Sequence, residues 1–365
     1  MDEQASGARA FEFHGTWREF APIAFTNLLL TIVTLGIYGF WAKTRERQYL
    51  WAHTRFIDDR LEWTGTGLEL FIGYLMAILL FVLPLGVLQF VIQSLAIQGH
   101  HGGAALLTIL LYFAVFYLIG VAIFRALRYR LSRTYWHGIR GGSSEQGFSY
   151  GLTHLWKTLV GSFALGLMVP WAMTGLWNAR WNAMSFGPHE FNSNADWRPI
   201  MGRYLLYYLA PILLLIAGVA GAALFGSSAG TMTAQTVRTP DEAMQVVILA
   251  AVIGYFVFFI LLGLVSIFYY AAYFREVVSN LSLADLDFKF EARSWDWFKL
   301  IIGSFLLVVF TLGIGLIFVG YRNWSFFIRH MNGYGTLDLD SFTQSTTRTP
   351  GQGEGLLDAF DVGAI

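Results

Sequence analysis

Four stretches of this chain run with almost no charge for longer than a lipid bilayer is thick: Leu70–Ile97, Ala104–Phe124, Tyr204–Phe225 and Val246–Tyr273. A hydrocarbon core of about 30 Å, at 1.5 Å per helical residue, asks for about 20 apolar residues, and each stretch exceeds that. Pro84 and Pro211 fall inside two of them, where proline kinks a membrane helix without ending it. The four pair into two hairpins, closed by Gln98–Gly103 and Gly226–Gln245. Composition supports the same reading. Only 13% of the 365 residues are charged, against about 25% in a soluble chain, so lipid must cover much of the surface.

The balance of charge narrows the function classes. Net charge is zero and the isoelectric point near 7.1, which removes any global argument for nucleic-acid binding. Cysteine is absent, so disulfides, thiol catalysis and Cys-ligated metals are excluded. Met1–Phe20 is polar and holds no apolar core of a signal peptide.

Three further apolar stretches, Pro22–Trp41, Trp156–Trp177 and Phe298–Tyr321, are interrupted at matching places. The interruptions are Gly36 and Gly39, then Gly166 and Pro170, then Gly313 and Gly315. Glycine costs about 1 kcal/mol in a helix interior and proline about 3 kcal/mol. In a membrane such breaks survive only where protein or water satisfies the freed backbone. An aromatic-basic run follows each one: Trp41-Ala42-Lys43-Thr44-Arg45-Glu46-Arg47, Trp177-Asn178-Ala179-Arg180, and Tyr321-Arg322-Asn323-Trp324. Layout and spacing read as an internal repeat at about 11–65, 148–192 and 288–342.

Short alternating segments frame the repeats and predict strands at the membrane surface. They are Phe11–His14, Phe148–Tyr150 and Phe288–Glu291 before the helices, and Leu61–Thr64, Glu190–Asn192 and Leu337–Asp340 after them. If the three broken stretches enter and leave on one side, only Gln98–Gly103 and Gly226–Gln245 face outward. Those loops carry Arg238 alone of the 24 Lys and Arg, leaving 24 − 1 = 23 on or within the inner surface. The positive-inside rule prefers that arrangement. The expected fold is an all-α integral membrane protein with four spanning helices in two hairpins, three Gly-broken re-entrant or interfacial segments, and short cytoplasmic β-strands. Seven spanning helices, which put the N-terminus outside, are the alternative. Residues 1–345 read as one polytopic domain with both termini cytoplasmic, and 346–365 as a flexible tail.

The run Asn27-Leu28-Leu29-Leu30-Thr31 leading to Thr34-Leu35-Gly36-Ile37-Tyr38, then Trp41-Ala42-Lys43 and Arg45, resembles the YjgN-like family of bacterial inner-membrane proteins. Trp63-Thr64-Gly65-Thr66-Gly67 with Glu69-Leu70-Phe71, and the opening Phe11-Glu12-Phe13-His14-Gly15, resemble it too. The resemblance covers the chain to about Phe342 and implies a Gram-negative inner membrane. It supplies no catalytic residue, because the family is a domain of unknown function. The second repeat departs most, with Pro170 in its break and a shorter lead-in.

Site chemistry is sparse. None of the eight histidines has metal-ligand spacing, and there is no G-x-S-x-G elbow. Asp58-Asp59, beside Arg55 and Arg60, reads as a salt-bridged loop. The spans carry Gln89 and Gln93 but no ionisable group in their interiors, leaving a proton relay nothing to run on. The expectation is therefore a non-enzyme without cofactor or metal. Basic residues interleaved with aromatics at the inner surface attract anionic lipid. Trp41, Lys43, Arg45, Arg47, Arg180 and Arg322 are the candidate contacts, with Arg125, Arg128, Arg130 and Arg133 forming a basic collar. Membrane lipid is the expected partner, handled with or without a small amphipathic solute. A small-solute transporter or channel and a scaffold are the alternatives. Gly218, Ala222 and Gly226 form a small-residue stripe suited to close helix contact, internal or between copies.

Overall fold

The computed structural model describes residues 10–236, 240–335, 342–349 and 351, with the side chains of 222–236, 240, 242 and 243 outside that set. The segment 337–340, the side chains of Ala222 and Gly226, and the end of the tail at 352–365 thus lie outside the described residues. The chain divides into two compact units: Met1–Asp196, Val277–Glu291 and Leu300–Ile365 form the first, and Trp197–Glu276 with Ala292–Lys299 the second.

Among the described residues, four helical runs are long and apolar enough to cross a membrane: Gly67–Ile97, His101–Arg133, Arg198–Gly221 and Met244–Ser279. In the most apolar window of each, 11% or less is buried within the protein. Their apolar side chains face outward, which suits lipid and not water. In the first unit, α3 (Gly67–Ala77) starts on a reciprocal cap between Thr66 and Glu69. One π-turn, Ile78–Val82, separates it from α4 (Leu83–Ile97). Pro84, with no N–H to donate, accounts for the irregular turn beside it. The return helix is α5 (His101–Arg133). The second unit holds most of α8 (Arg198–Thr236) and α9 (Pro240–Ser279), with Tyr204 and Tyr207 packed on Tyr269 near the chain's entry and exit.

The strands are more extensive than the alternation predicts. The first three form one sheet: β1 (Phe11–Phe13), β2 (Thr54–Phe56) and β3 (Asp59–Arg60). A second sheet has eight strands in chain order: β4 (Glu62–Trp63), β5 (Thr134–Trp136), β6 (Ile139–Gly142), β7 (Ser185–Phe186), β8 (His189–Ser193), β9 (Leu281–Leu283), β10 (Leu286–Phe290) and β11 (Met331–Gly335). Phe148–Tyr150, expected as a strand, is instead the first turn of α6 (Phe148–Phe163), and the strand before it is β6. Four two-residue turns join β2 to β3, β5 to β6, β7 to β8 and β9 to β10. Each begins on a residue with positive φ: Ile57, His137, Gly187 and Ala284. Only Gly187 and the Gly138 that follows His137 signal such a turn in the letters, which is why most of these hairpins are hidden in the sequence.

Each broken stretch folds as two helices. These are α1 (Trp17–Val33) with α2 (Gly39–Ala52), α6 with α7 (Val169–Trp181), and α10 (Ser294–Phe310) with α11 (Val319–His330). The strands flanking each helical excursion pair with each other. The strand before α1 pairs with the strand after α2 (Phe11↔Phe56), β6 with β7 around α6–α7 (Gly141↔Phe186), and β10 with β11 around α10–α11 (Phe290↔Met331). The same holds for β4 with β5 around α3–α5, and β8 with β9 around α8–α9. All five excursions leave from and return to paired neighbours.

The core of the first unit lies under these strands. Trp136 is 1% exposed, and its indole N–H donates to the Phe56 carbonyl at 3.0 Å, tying the two sheets together. Trp51 stacks on Trp324 at 4.1 Å between ring centres, joining the first broken hairpin to the last. Residues 342–349 also pack here, with Phe342 edge-on to Trp136 and Thr347 bonded to the buried Arg140 guanidinium. Trp136→Ala is expected to cost about 3–5 kcal/mol, read as a lowered unfolding temperature of the detergent-solubilised protein, with helix content at low temperature retained.

Candidate functional site

The backbone reverses identically in the three broken hairpins. Leu35 and Gly36 have φ of 52° and 94°, Leu165 and Gly166 have 53° and 80°, and Leu312 and Gly313 have 51° and 93°. In the first, the Gly36 N–H donates to the Thr31 carbonyl and the Leu35 N–H to the Ile32 carbonyl. The third repeats this with Gly313 to Val308 and Leu312 to Val309. This is a helix C-cap in which leucine holds the left-handed position that glycine normally takes. A left-handed leucine costs roughly 1–2 kcal/mol. Each is nearly bare, at 93%, 78% and 94% exposed for Leu35, Leu165 and Leu312. The side chain therefore works at the tip and not in the core.

A threonine helps close two of the turns. Thr34 Oγ1 accepts from the Tyr38 N–H at 2.9 Å, and Thr311 Oγ1 from the Gly315 N–H at 2.6 Å. The middle hairpin has Ala164 there. Gly39 and Pro170 are not the breaks: Gly39 opens α2, and Pro170 sits in the first turn of α7, where a missing N–H is harmless. Gly315 is needed for a close approach, since a Cβ there would lie 2.7 Å from Thr311 Oγ1.

Inside each hairpin one cation lies nine residues from the turn glycine. Arg45 follows Gly36 by nine, and its guanidinium donates to Tyr38 Oη at 3.1 Å and to Asn27 Oδ1 at 3.3 Å. Asn27, nine before Gly36, donates in turn to the Ala42 carbonyl at 3.0 Å. Arg322 follows Gly313 by nine and donates from Nε to Ser304 Oγ at 3.1 Å; Ser304 precedes Gly313 by nine. In the middle hairpin the two positions are exchanged. Gly175 follows Gly166 by nine, and Lys157 precedes it by nine. The Lys157 ammonium sits over the Trp171 ring at 4.8 Å and fills the space a Gly175 side chain would take. Among the described residues none of these three cations has a carboxylate partner.

Other expected contacts are drawn inward. Trp41 packs against Gly67, where a Cβ would meet its Cγ at 2.6 Å. Arg47 is buried with its guanidinium 4.9 Å from the Trp63 ring centre. Lys43, half-buried on α2, does not share the nine-residue position. Arg180 is buried over Trp177, fourteen residues beyond Gly166, with no hydrogen-bond partner for Nε among the described residues; it does not match Arg45 and Arg322. Nor is the collar on α5 a free surface. Arg128 and Arg130 are buried, and Arg133 pairs with Glu69 at 2.8 and 3.1 Å, where Tyr129 Oη also donates at 3.0 Å. Asp58 finds its partner in His137 at 2.9 Å, while Arg55 turns to Glu12 at 3.8 Å. Among the described residues no group of three or more His, Asp or Glu is placed to hold a metal.

Where the first hairpin meets β1, Tyr49 Oη donates to the Thr16 carbonyl at 2.9 Å and accepts from the Thr16 N–H at 3.0 Å. Burial pushes the phenol up to about 12; the Thr16 bond pulls it down and nearby Glu19 pushes it up. A phenol pKa raised on folding, from about 10 in the unfolded chain, adds stability that is whole below pH 10 and lost as pH climbs toward 12. Tyr49→Phe is expected to cost about 1–3 kcal/mol at pH 8, by unpairing the Thr16 backbone, and to weaken the loss of stability above pH 10. Unfolding temperatures across that range check both.

Comparison with known proteins bears on membrane location and not on this geometry. The chain is 24% identical to the inner membrane protein YjgN of Escherichia coli K12, over 93% of this chain and 92% of the relative. It is 22% identical to the protein of the same name from Salmonella typhimurium, over 93% and 91%. No solved structure matches. The family model described as bacterial protein of unknown function, DUF898, matches residues 8–359, and the chain belongs to that family.

Proposed function

We propose that this chain is a non-enzymatic inner-membrane protein that holds anionic lipid, or an amphipathic solute with the same headgroup chemistry, at the cytoplasmic leaflet. Its three broken hairpins dip into that leaflet from the side carrying the sheets. The observation that carries the reading is the position of Arg45 and Arg322 relative to the hairpin tips. From Gly39 to Arg45 six helical residues rise about 9 Å, and the turn at 34–38 adds to that depth, against about 15 Å for half of a hydrocarbon core. With Leu35 and Leu312 at mid-bilayer, Arg45 and Arg322 lie at the boundary between acyl chains and headgroups. A basic residue near an anionic surface contributes on the order of 1 kcal/mol, and these have only neutral partners competing for them.

Strand pairing supports entry and exit on one side, because β1 and β2, β6 and β7, and β10 and β11 could not pair across a bilayer. The tips support immersion, since Val33, Phe163 and Phe310 beside the turns are 69%, 82% and 81% exposed. Such apolar surface is costly in water. Charge supports the orientation: Gln98–Gly103 at the far end of α4–α5 carries no Lys or Arg.

Two measurements test this. Native mass spectrometry of the detergent-extracted protein should show bound phosphatidylglycerol in the wild type and less in Arg45→Ala and Arg322→Ala; equal retention would sink the lipid reading. With no native cysteine, Asp285→Cys in the β9–β10 turn should resist an impermeant thiol reagent added outside, while Gln98→Cys should react. External labelling of Asp285→Cys would instead support seven spans.

A further inference from the structure

We infer that Lys157 is the middle hairpin's counterpart of Arg45 and Arg322, so that the protein carries three equivalent cation sites for a lipid phosphodiester, the middle one with its cation supplied by the opposite helix. This rests on the reading above and extends it to a residue that the aromatic-basic runs do not mark.

Three observations support the assignment. The first is register. Positions nine before and nine after the turn glycine hold Asn27 and Arg45 in the first hairpin, and Ser304 and Arg322 in the third. In the second they hold Lys157 and Gly175. The second is reciprocity of space. Arg322 crosses from α11 to lie over α10, where a Cβ on Gly303 would be 2.5 Å from its Nη2. Lys157 crosses the other way, from α6 to α7, over Gly175. A cation and a glycine face each other in both hairpins, with their helices exchanged. The third is charge. Lys157 has an aromatic face at 4.8 Å, and among the described residues no carboxylate, as for the two arginines. The middle hairpin has Ala164 in place of the threonine and still places a cation nine residues from its turn glycine.

The chemistry offered is a single ammonium or guanidinium beside neutral groups. It would take a monoanionic phosphodiester, and a free phosphate offers similar oxygens. Native mass spectrometry of the full chain in detergent, titrated separately with phosphatidylglycerol, phosphatidylcholine and inorganic phosphate, separates these sources. Lys157→Met, which keeps the apolar stem, should retain one fewer phosphatidylglycerol than the wild type, with phosphatidylcholine binding unchanged. Binding of inorganic phosphate with equal loss would make the ligand a soluble anion and overturn the lipid assignment. Lys157→Ser combined with Gly175→Arg moves the cation to α7, with serine across from it as Ser304 is from Arg322, and should restore wild-type retention, as should Lys157→Arg. Unchanged retention in Lys157→Met, while Arg45→Ala and Arg322→Ala still lose lipid, overturns the assignment of Lys157 alone. Unchanged retention in all three overturns the wider reading as well. Should Lys157→Met fail to fold, the paired variant decides: one lipid fewer than the wild type refutes the equivalence.

Discussion

Backbone N–H and C=O groups must find partners before a chain can enter hydrocarbon, and this protein meets that demand by closing every helical excursion with a pair of strands. A helix satisfies its own interior but leaves donors and acceptors open at its ends. Here the chain enters α1 from Phe11–Phe13 and leaves α2 into Thr54–Phe56, and those segments exchange ladder hydrogen bonds. The four later excursions do the same. The helix ends thus lead into paired strands and not into open backbone. Edge strands two or three residues long would be marginal alone; pairing in chain order into eight strands, over a core containing Trp136, Tyr129 and Phe290, makes them stable.

The tight turns depend on that anchoring. A leucine in the left-handed region carries a local cost that nothing at the tip repays through packing, because Leu35 and Leu312 are almost wholly exposed. Flanking hydrogen bonds from Leu35 and Gly36, repeated at Leu312 and Gly313, satisfy the last carbonyls of the helix. If the hairpins dip into the bilayer as proposed, immersing the leucine in lipid would offer a further gain that glycine could not supply.

The cations show how much of the site was legible. Arg45 and Arg322 stand out in the letters because each follows an aromatic near a Gly break, and the structure brings each to the neighbouring helix of its hairpin. Lys157 gave no such signal: it lies before the break, on the other helix. Arg180 has the right chemistry and the wrong register, which counting from Gly166 would have shown. Arg47 and Trp41 looked like interfacial anchors, yet both pack within the protein, on Trp63 and Gly67. An aromatic-basic pair has the same spelling whether it meets lipid or another helix, so only its neighbours distinguish the two.

From the sequence alone came the four long apolar helices and the three broken stretches, because length, hydropathy and glycine are local properties. The β1, β4, β8 and β10 strands were also readable from alternation. The assembly of strands into one eight-stranded sheet was not, since two-residue strands joined through Ile57, His137 and Ala284 carry too little local preference to announce themselves. Nor could the letters show what fills the space over Gly175; tertiary structure decided that, because the occupant, the Lys157 ammonium, comes from the opposite helix eighteen positions away.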